Sequence, residues 1–185
     1  ADHVTIQNFE MNLDQRKLYS AIIASAVAPA TSIGGLQIID NSIAPYASSP
    51  GASFSSGFYG DTNAIGINYA GKTNYRVSSG GGNVTVSGNT ISGRLDSDPL
   101  AAGSARFFRS GISMDECSGT FDGNTIQTIN HDILARFGSS GTVQIQNNHF
   151  NGSGVQLSEQ NAGVTALNVV NNTFVDTYGH FGGGL

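Results

Sequence analysis

Five times this chain runs an alternating strand into an asparagine and then places one more apolar side chain two residues on. The copies are Leu36-Gln-Ile38-Ile-Asp-Asn41-Ser-Ile43, Val84-Thr-Val86-Ser-Gly-Asn89-Thr-Ile91, Thr120-Phe121-Asp-Gly-Asn124-Thr-Ile126, Val143-Gln-Ile145-Gln-Asn-Asn148-His-Phe150 and Leu167-Asn-Val169-Val-Asn-Asn172-Thr-Phe174. The asparagines stand 48, 35, 24 and 24 residues apart, so the basic period reads as 24 and the 48 reads as two periods with one turn hidden. A unit that short cannot bury its apolar face alone, so stacked neighbours must bury it for one another, which makes the chain a solenoid.

A second set of short apolar segments lies between the asparagine strands: Gly111-Ile112-Ser-Met114, Ile133-Leu134-Ala-Arg136-Phe137 and Gly154-Val155-Gln-Leu157. The spacing predicts two strands per turn, each pairing with its own copy one turn away, and β-branched and aromatic residues suit that pleated surface. The predicted fold is all-β, a parallel solenoid of about 24 residues per turn. Nearly eight turns fit into 185 residues, a rod of about 38 Å at ~4.8 Å per turn.

Asparagine suits the corner because it tolerates left-handed backbone and its amide bonds to nearby main chain. The preceding residues, Asp40, Gly88, Gly123, Asn147 and Asn171, are turn formers too. Stacked copies are expected to form an amide ladder along the axis. The stretch Met11 to Ala30 has a signal-like pattern of a basic start and a short apolar run. A solenoid strand over Ala21 to Val27 is the reading preferred here.

Charged residues make up 11% of the chain, well under the roughly 25% of ordinary domains, so amides and hydroxyls carry its solubility. A formal charge of −5 with scattered Lys and Arg argues against a nucleic-acid surface. Cys117 is alone, which excludes a disulfide framework within the chain and a CxxC metal pair. No apolar run approaches the roughly 20 residues that span a bilayer as a helix, and no membrane insertion is expected.

These repeats resemble the right-handed parallel β-helix family, the pectate-lyase-like solenoids found also in phage tailspikes and long bacterial surface proteins. The resemblance covers most of the chain and is strongest from Val84 to Phe174. It implies a right-handed coil and an extracellular or cell-surface location. It implies no single activity, since such solenoids serve as lyases, hydrolases, adhesins and inert stalks. The segment Val164-x-x-Leu167-x-Val169-x-x-Asn172-x-Phe174 also fits the leucine-rich repeat template, but Gly119 and the β-branched connecting halves do not.

Two insertions interrupt the pattern, near residues 44–83 and 94–106. The first is rich in Gly and Ser and holds Tyr46, Phe58, Tyr59, Tyr69 and Tyr75; within it Ala64 to Tyr69 reads as the second strand of the hidden turn. Flat rings with polar tips suit sugar faces, so these aromatics are the candidate ligand-binding residues; the competing reading is that they pin the loop to the coil. The second insertion holds Asp96 and Asp98, half of a calcium loop without its remaining ligands. No cofactor is expected, calcium being the one ion for which the pattern leaves room.

Lyases of the resembled family need an acidic cluster for calcium and a Lys or Arg base, and its hydrolases need paired carboxylates. Aligning the second strands puts Asp115, Arg136 and Ser158 in one column and Glu116, Phe137 and Glu159 in the next. His131 and Asp132 precede the middle strand. Asp115, Glu116, His131, Asp132 and Arg136 are therefore the catalytic candidates, with an exposed ladder ion pair as the competing reading.

Two functions of different classes follow. The first is a β-helical stalk or adhesin module, one domain over residues 1–185 read as a segment of a longer chain. That reading rests on a start inside a strand and a Gly-rich end without a polar cap. Its partners would be glycans, neighbouring domains or other copies of itself. The second is the core of a polysaccharide lyase or glycoside hydrolase.

Overall fold

The structure, a computed structural model, describes residues 3–13, 20–24, 35–45, 63–67, 83–92, 110–115, 118–127, 131–137, 141–151, 155–159 and 164–175. All its regular elements are strands, and they recur in a fixed order. The first coil is β1 (Thr5–Gln7), β2 (Glu10–Leu13) and β3 (Ser20–Ala24); the second is β4 (Gln37–Ile39), β5 (Ser42–Pro45) and β6 (Asn63–Ile67). The third is β7 (Asn83–Ser87), β8 (Thr90–Ser92) and β9 (Ser110–Asp115); the fourth is β10 (Ser118–Asp122), β11 (Thr125–Gln127) and β12 (His131–Phe137). The fifth is β13 (Gly141–Gln146), β14 (His149–Asn151) and β15 (Val155–Glu159), and the sixth contributes β16 (Val164–Val170) and β17 (Thr173–Val175).

Like strands stack on like in parallel. One sheet runs β1-β4-β7-β10-β13-β16, a second β2-β5-β8-β11-β14-β17 and a third β3-β6-β9-β12-β15. This is an all-β stack of coils, consistent with a β-solenoid. Among the described residues the first five coils each show three strands rather than two, because the apolar residue after the ladder position lies in a short strand of its own.

The 48-residue interval hides no turn. Gln37 pairs directly with Thr85, and Ile38 with Val86, so the second coil lies against the third and the extra residues belong to a single enlarged coil. Within it β6 is the third strand, pairing with β3 below and β9 above. The described residues form six stacked coils where eight are expected of the chain, the first and last of the six about 24 Å apart. A loop can lengthen at small entropic cost without disturbing the stacked register, so spacing alone overcounts.

Columns of like residues fill the interior. Ile38, Val86, Phe121 and Ile145 line the first sheet and Ile43, Ile91, Ile126 and Phe150 the second, all of them buried. Ile22, Ile65 and Ile112 line the third. Alternate residues face outward, which gives β7 its exposed, buried, half-buried, buried, half-buried pattern. At Gly119 the neighbouring coil comes so close that a Cβ would lie 2.5 Å from the carbonyl oxygen of Val84. Glycine there is a requirement of coil spacing, which accounts for the position that departs from the leucine-rich template. Of the strand expected over Ala21 to Val27, Ala21 to Ala24 lie in β3, and residues 25–27 are outside the described residues.

Candidate functional site

The corner between the first and second sheets is the best-defined polar structure in the protein. Its left-handed residue is the one before the ladder position, which is Phe9 in the first coil and an asparagine in the others: φ is 60° at Asn8, 53° at Asp40, 65° at Gly88 and Gly123, 56° at Asn147 and 55° at Asn171. The corner asparagine, expected to take that conformation itself, does not. The structure divides the work instead, with Gly, Asn or Asp making the bend and the next residue turning its side chain inward.

Inside the corner, the side-chain Nδ2 of Asn41, Asn89, Asn124 and Asn148 donates to Oδ1 of the next asparagine at 3.0, 3.0, 2.9 and 2.9 Å. The backbone N–H of each donates to that same oxygen. The second Nδ2 hydrogen goes to a carbonyl of the preceding coil, such as Val86 for Asn124 at 2.9 Å. Asn41, Asn89, Asn124 and Asn148 are almost wholly buried. Burying a carboxamide is tolerable because every donor and acceptor is matched. The expected amide ladder is therefore present, and it is a scaffold whose donors and acceptors are consumed within the protein.

On the outer side of the same corner, Asp122 accepts from Gln146 Nε2 at 3.0 Å and from Asn147 Nδ2 at 2.8 Å. Along the outer face of the first sheet, Thr5 donates to Gln37 Oε1 at 3.2 Å and Thr120 to Gln144 Oε1 at 3.4 Å. Polar side chains here pair with their copies one coil away. His149 opens β14 and pairs with Thr125 and Thr173, as a half-buried strand residue.

The catalytic candidates sort by strand position. Arg136 on β12 pairs with Asp115 on β9 and with Ser158 on β15, which reproduces the first aligned column, and Phe137 pairs with Glu159, the part of the second column that is described. His131 pairs with Ser110 at the opposite end of β12, and Asp132 follows it. Five residue steps of extended strand separate His131 from Arg136, about 16 Å at ~3.3 Å per step. The third sheet thus juxtaposes Asp115 with Arg136 and sets His131 and Asp132 apart from them. Glu116, the aromatics Tyr46, Phe58, Tyr59, Tyr69 and Tyr75, and the acidic pair Asp96 and Asp98 lie outside the described residues, as does Cys117.

Among the described residues, no group of three or more His, Cys, Asp or Glu is placed to hold a metal ion. No helix among them is long and apolar enough to cross a membrane. No protein-family model matches the chain, and no curated protein or solved structure matches it significantly.

Proposed function

We propose that this protein is a right-handed parallel β-helix with a basic turn of about 24 residues, acting as a rigid extracellular stalk or adhesin module. Right-handedness follows from the strong preference of parallel crossover connections for that hand. The basic turn is that of the register between β10, β13 and β16, where Phe121 pairs with Ile145 and Ile145 with Val169. The observation that carries the functional reading is the continuous asparagine ladder from Asn41 to Asn172. It fastens each described coil to the next by neutral hydrogen bonds, largely buried, and leaves the outer face of the first sheet to polar side chains. Such an object transmits position and presents surface. The binding partners proposed are glycans, met by the aromatic-rich insertion, and neighbouring protein domains.

A second reading is favoured by one observation, the lateral pairing of Asp115 with Arg136. Adjacent acid and base on one sheet are the beginning of a carbohydrate-cleaving site, with calcium as the ion a lyase of this kind would use. A glycan-array screen beside assays for reducing ends and unsaturated products, run with calcium and with EGTA, separates the two. Glycan binding without turnover supports the adhesive module. Product formation abolished in Asp115→Ala and Arg136→Ala would overturn it in favour of the enzyme.

A further inference from the structure

Among the described corners, only the one between β10 and β11 sets an aspartate before a glycine, Asp122-Gly123. The others read Gln7-Asn8, Ile39-Asp40, Ser87-Gly88, Gln146-Asn147 and Val170-Asn171. An Asp–Gly step is chemically labile, because glycine places no side chain in the way of its own nitrogen when that nitrogen approaches the preceding carboxyl group. A bond forms between the nitrogen and Cγ, a Cγ–O bond breaks, and the oxygen leaves as water with the amide proton and one proton from solvent. Water then reopens the succinimide ring. Attack at Cγ restores aspartate, whereas attack at the α-carbonyl leaves the main chain running through the side-chain carbon as isoaspartate.

In the folded chain the fifth coil holds each reacting group. Asp122 Oδ2 accepts from Gln146 Nε2 at 3.0 Å, and Oδ1 accepts from Asn147 Nδ2 at 2.8 Å. The Gly123 N–H, whose proton the reaction must remove, donates to the carbonyl oxygen of Gln146 at 3.1 Å. Nucleophile and electrophile thus both have partners one coil away, and Gln146 and Asn147 supply all three. Asp122 and Gln146 are half-buried while Gly123 and Asn147 are exposed, so water reaches this step. Hydrogen bonding, rather than exclusion of solvent, restrains it.

We propose that Asp122-Gly123 is a latent isoaspartate site, and that the seating of the fifth coil on the fourth keeps it closed through Gln146 and Asn147. Local opening of this one coil contact releases the carboxylate and the nitrogen together. The product then harms the stack on both sides. The Asp122 carbonyl that accepts the Gly88 N–H at 2.9 Å becomes a free carboxylate. The added backbone methylene moves Asn124 out of register with Asn89 and Asn148, its two neighbours in the ladder. A transient opening is thereby recorded as a covalent change. The inference goes beyond the functional reading and holds for a stalk and an enzyme alike.

The test incubates the full chain at neutral pH and physiological temperature and follows isoaspartate at residue 122 by peptide mapping. The change leaves the mass unaltered, which tells it apart from asparagine deamidation. A peptide of residues 118–127 gives the unrestrained rate. Folded wild type is expected to lag the peptide by more than about tenfold, and the double variant Gln146→Ala, Asn147→Ala to isomerise about tenfold faster than wild type. Gln144→Ala controls for general loosening, since Gln144 shares the strand and outer face but bonds Thr120 instead; its rate should match wild type. Should the double variant lose its β-sheet circular dichroism, the two single variants take its place, each with a smaller rise. Equal rates in wild type and peptide, no rise in the variants, or an equal rise in Gln144→Ala would each overturn the proposal.

Discussion

Asn148 Oδ1 accepts both the backbone N–H and the side-chain Nδ2 of Asn124, each at 2.9 Å. One carboxamide oxygen in the fifth coil thereby serves two donors in the fourth, and Asn124 Oδ1 does the same for Asn89.

Replacing Asn124 with Leu strands the N–H and Nδ2 of Asn89 and the carbonyl of Val86 in a dry interior. The expected loss is about 3–5 kcal/mol, since each orphaned buried group costs about 1–3 kcal/mol and neighbours relax in part. Asn124→Asp restores the acceptor but not the donor and puts a charge in the core, so it is expected to be no better. Urea unfolding monitored by circular dichroism measures both; a loss below 1 kcal/mol for Asn124→Leu would show that the ladder is incidental.

Gly119 and Gly123 are expected to differ although both are glycines of the fourth coil. At Gly119 a Cβ collides with main chain of the third coil, so Gly119→Ala should cost about 1–3 kcal/mol through forced separation of the coils. Gly123 has φ of 65° and open space around it, so Gly123→Ala should cost only the left-handed penalty of about 1–2 kcal/mol. Gly123→Asn should cost less than Ala does, because asparagine already occupies that corner position as Asn147 and Asn171. Denaturant midpoints of the three variants give the ranking.

Phe150 is buried and its ring centroid lies 5.0 Å from that of Phe174, which is half exposed at the edge. Phe150→Ala should therefore destabilise by about 3–5 kcal/mol, and Phe174→Ala by markedly less. Thermal melts of the two variants check the ordering; equal losses would mean that the edge ring is covered in solution.

Asp122 holds two amides of the next coil from outside, so Asp122→Ala should cost about 1 kcal/mol, a partly exposed charged acceptor being worth less than a buried one. The loss should shrink in Gln146→Ala, Asn147→Ala backgrounds, which a double-mutant cycle reads directly.

Much of this architecture was legible in the residue order. Strand alternation, the stacked asparagines and the turn formers before them repeat on scales of a few residues, where side-chain period and hydrogen-bonding chemistry act locally. The lateral pairing of Asp115, Arg136 and Ser158 also followed from aligning apolar positions, because a buried column tolerates no slip of register. The sequence by itself thus determined an all-β chain of stacked repeats with an amide ladder at one corner. Tertiary structure decided that the first five coils each show three strands among the described residues, since three-residue strands such as β8 and β11 carry too few residues to show a period. It decided that the 48-residue interval is one coil, since a loop's length leaves no mark on the register of the strands it joins. It decided too that His131 and Arg136 sit at opposite ends of β12. Which main-chain groups find partners depends on what lies one coil away, and no local pattern records that.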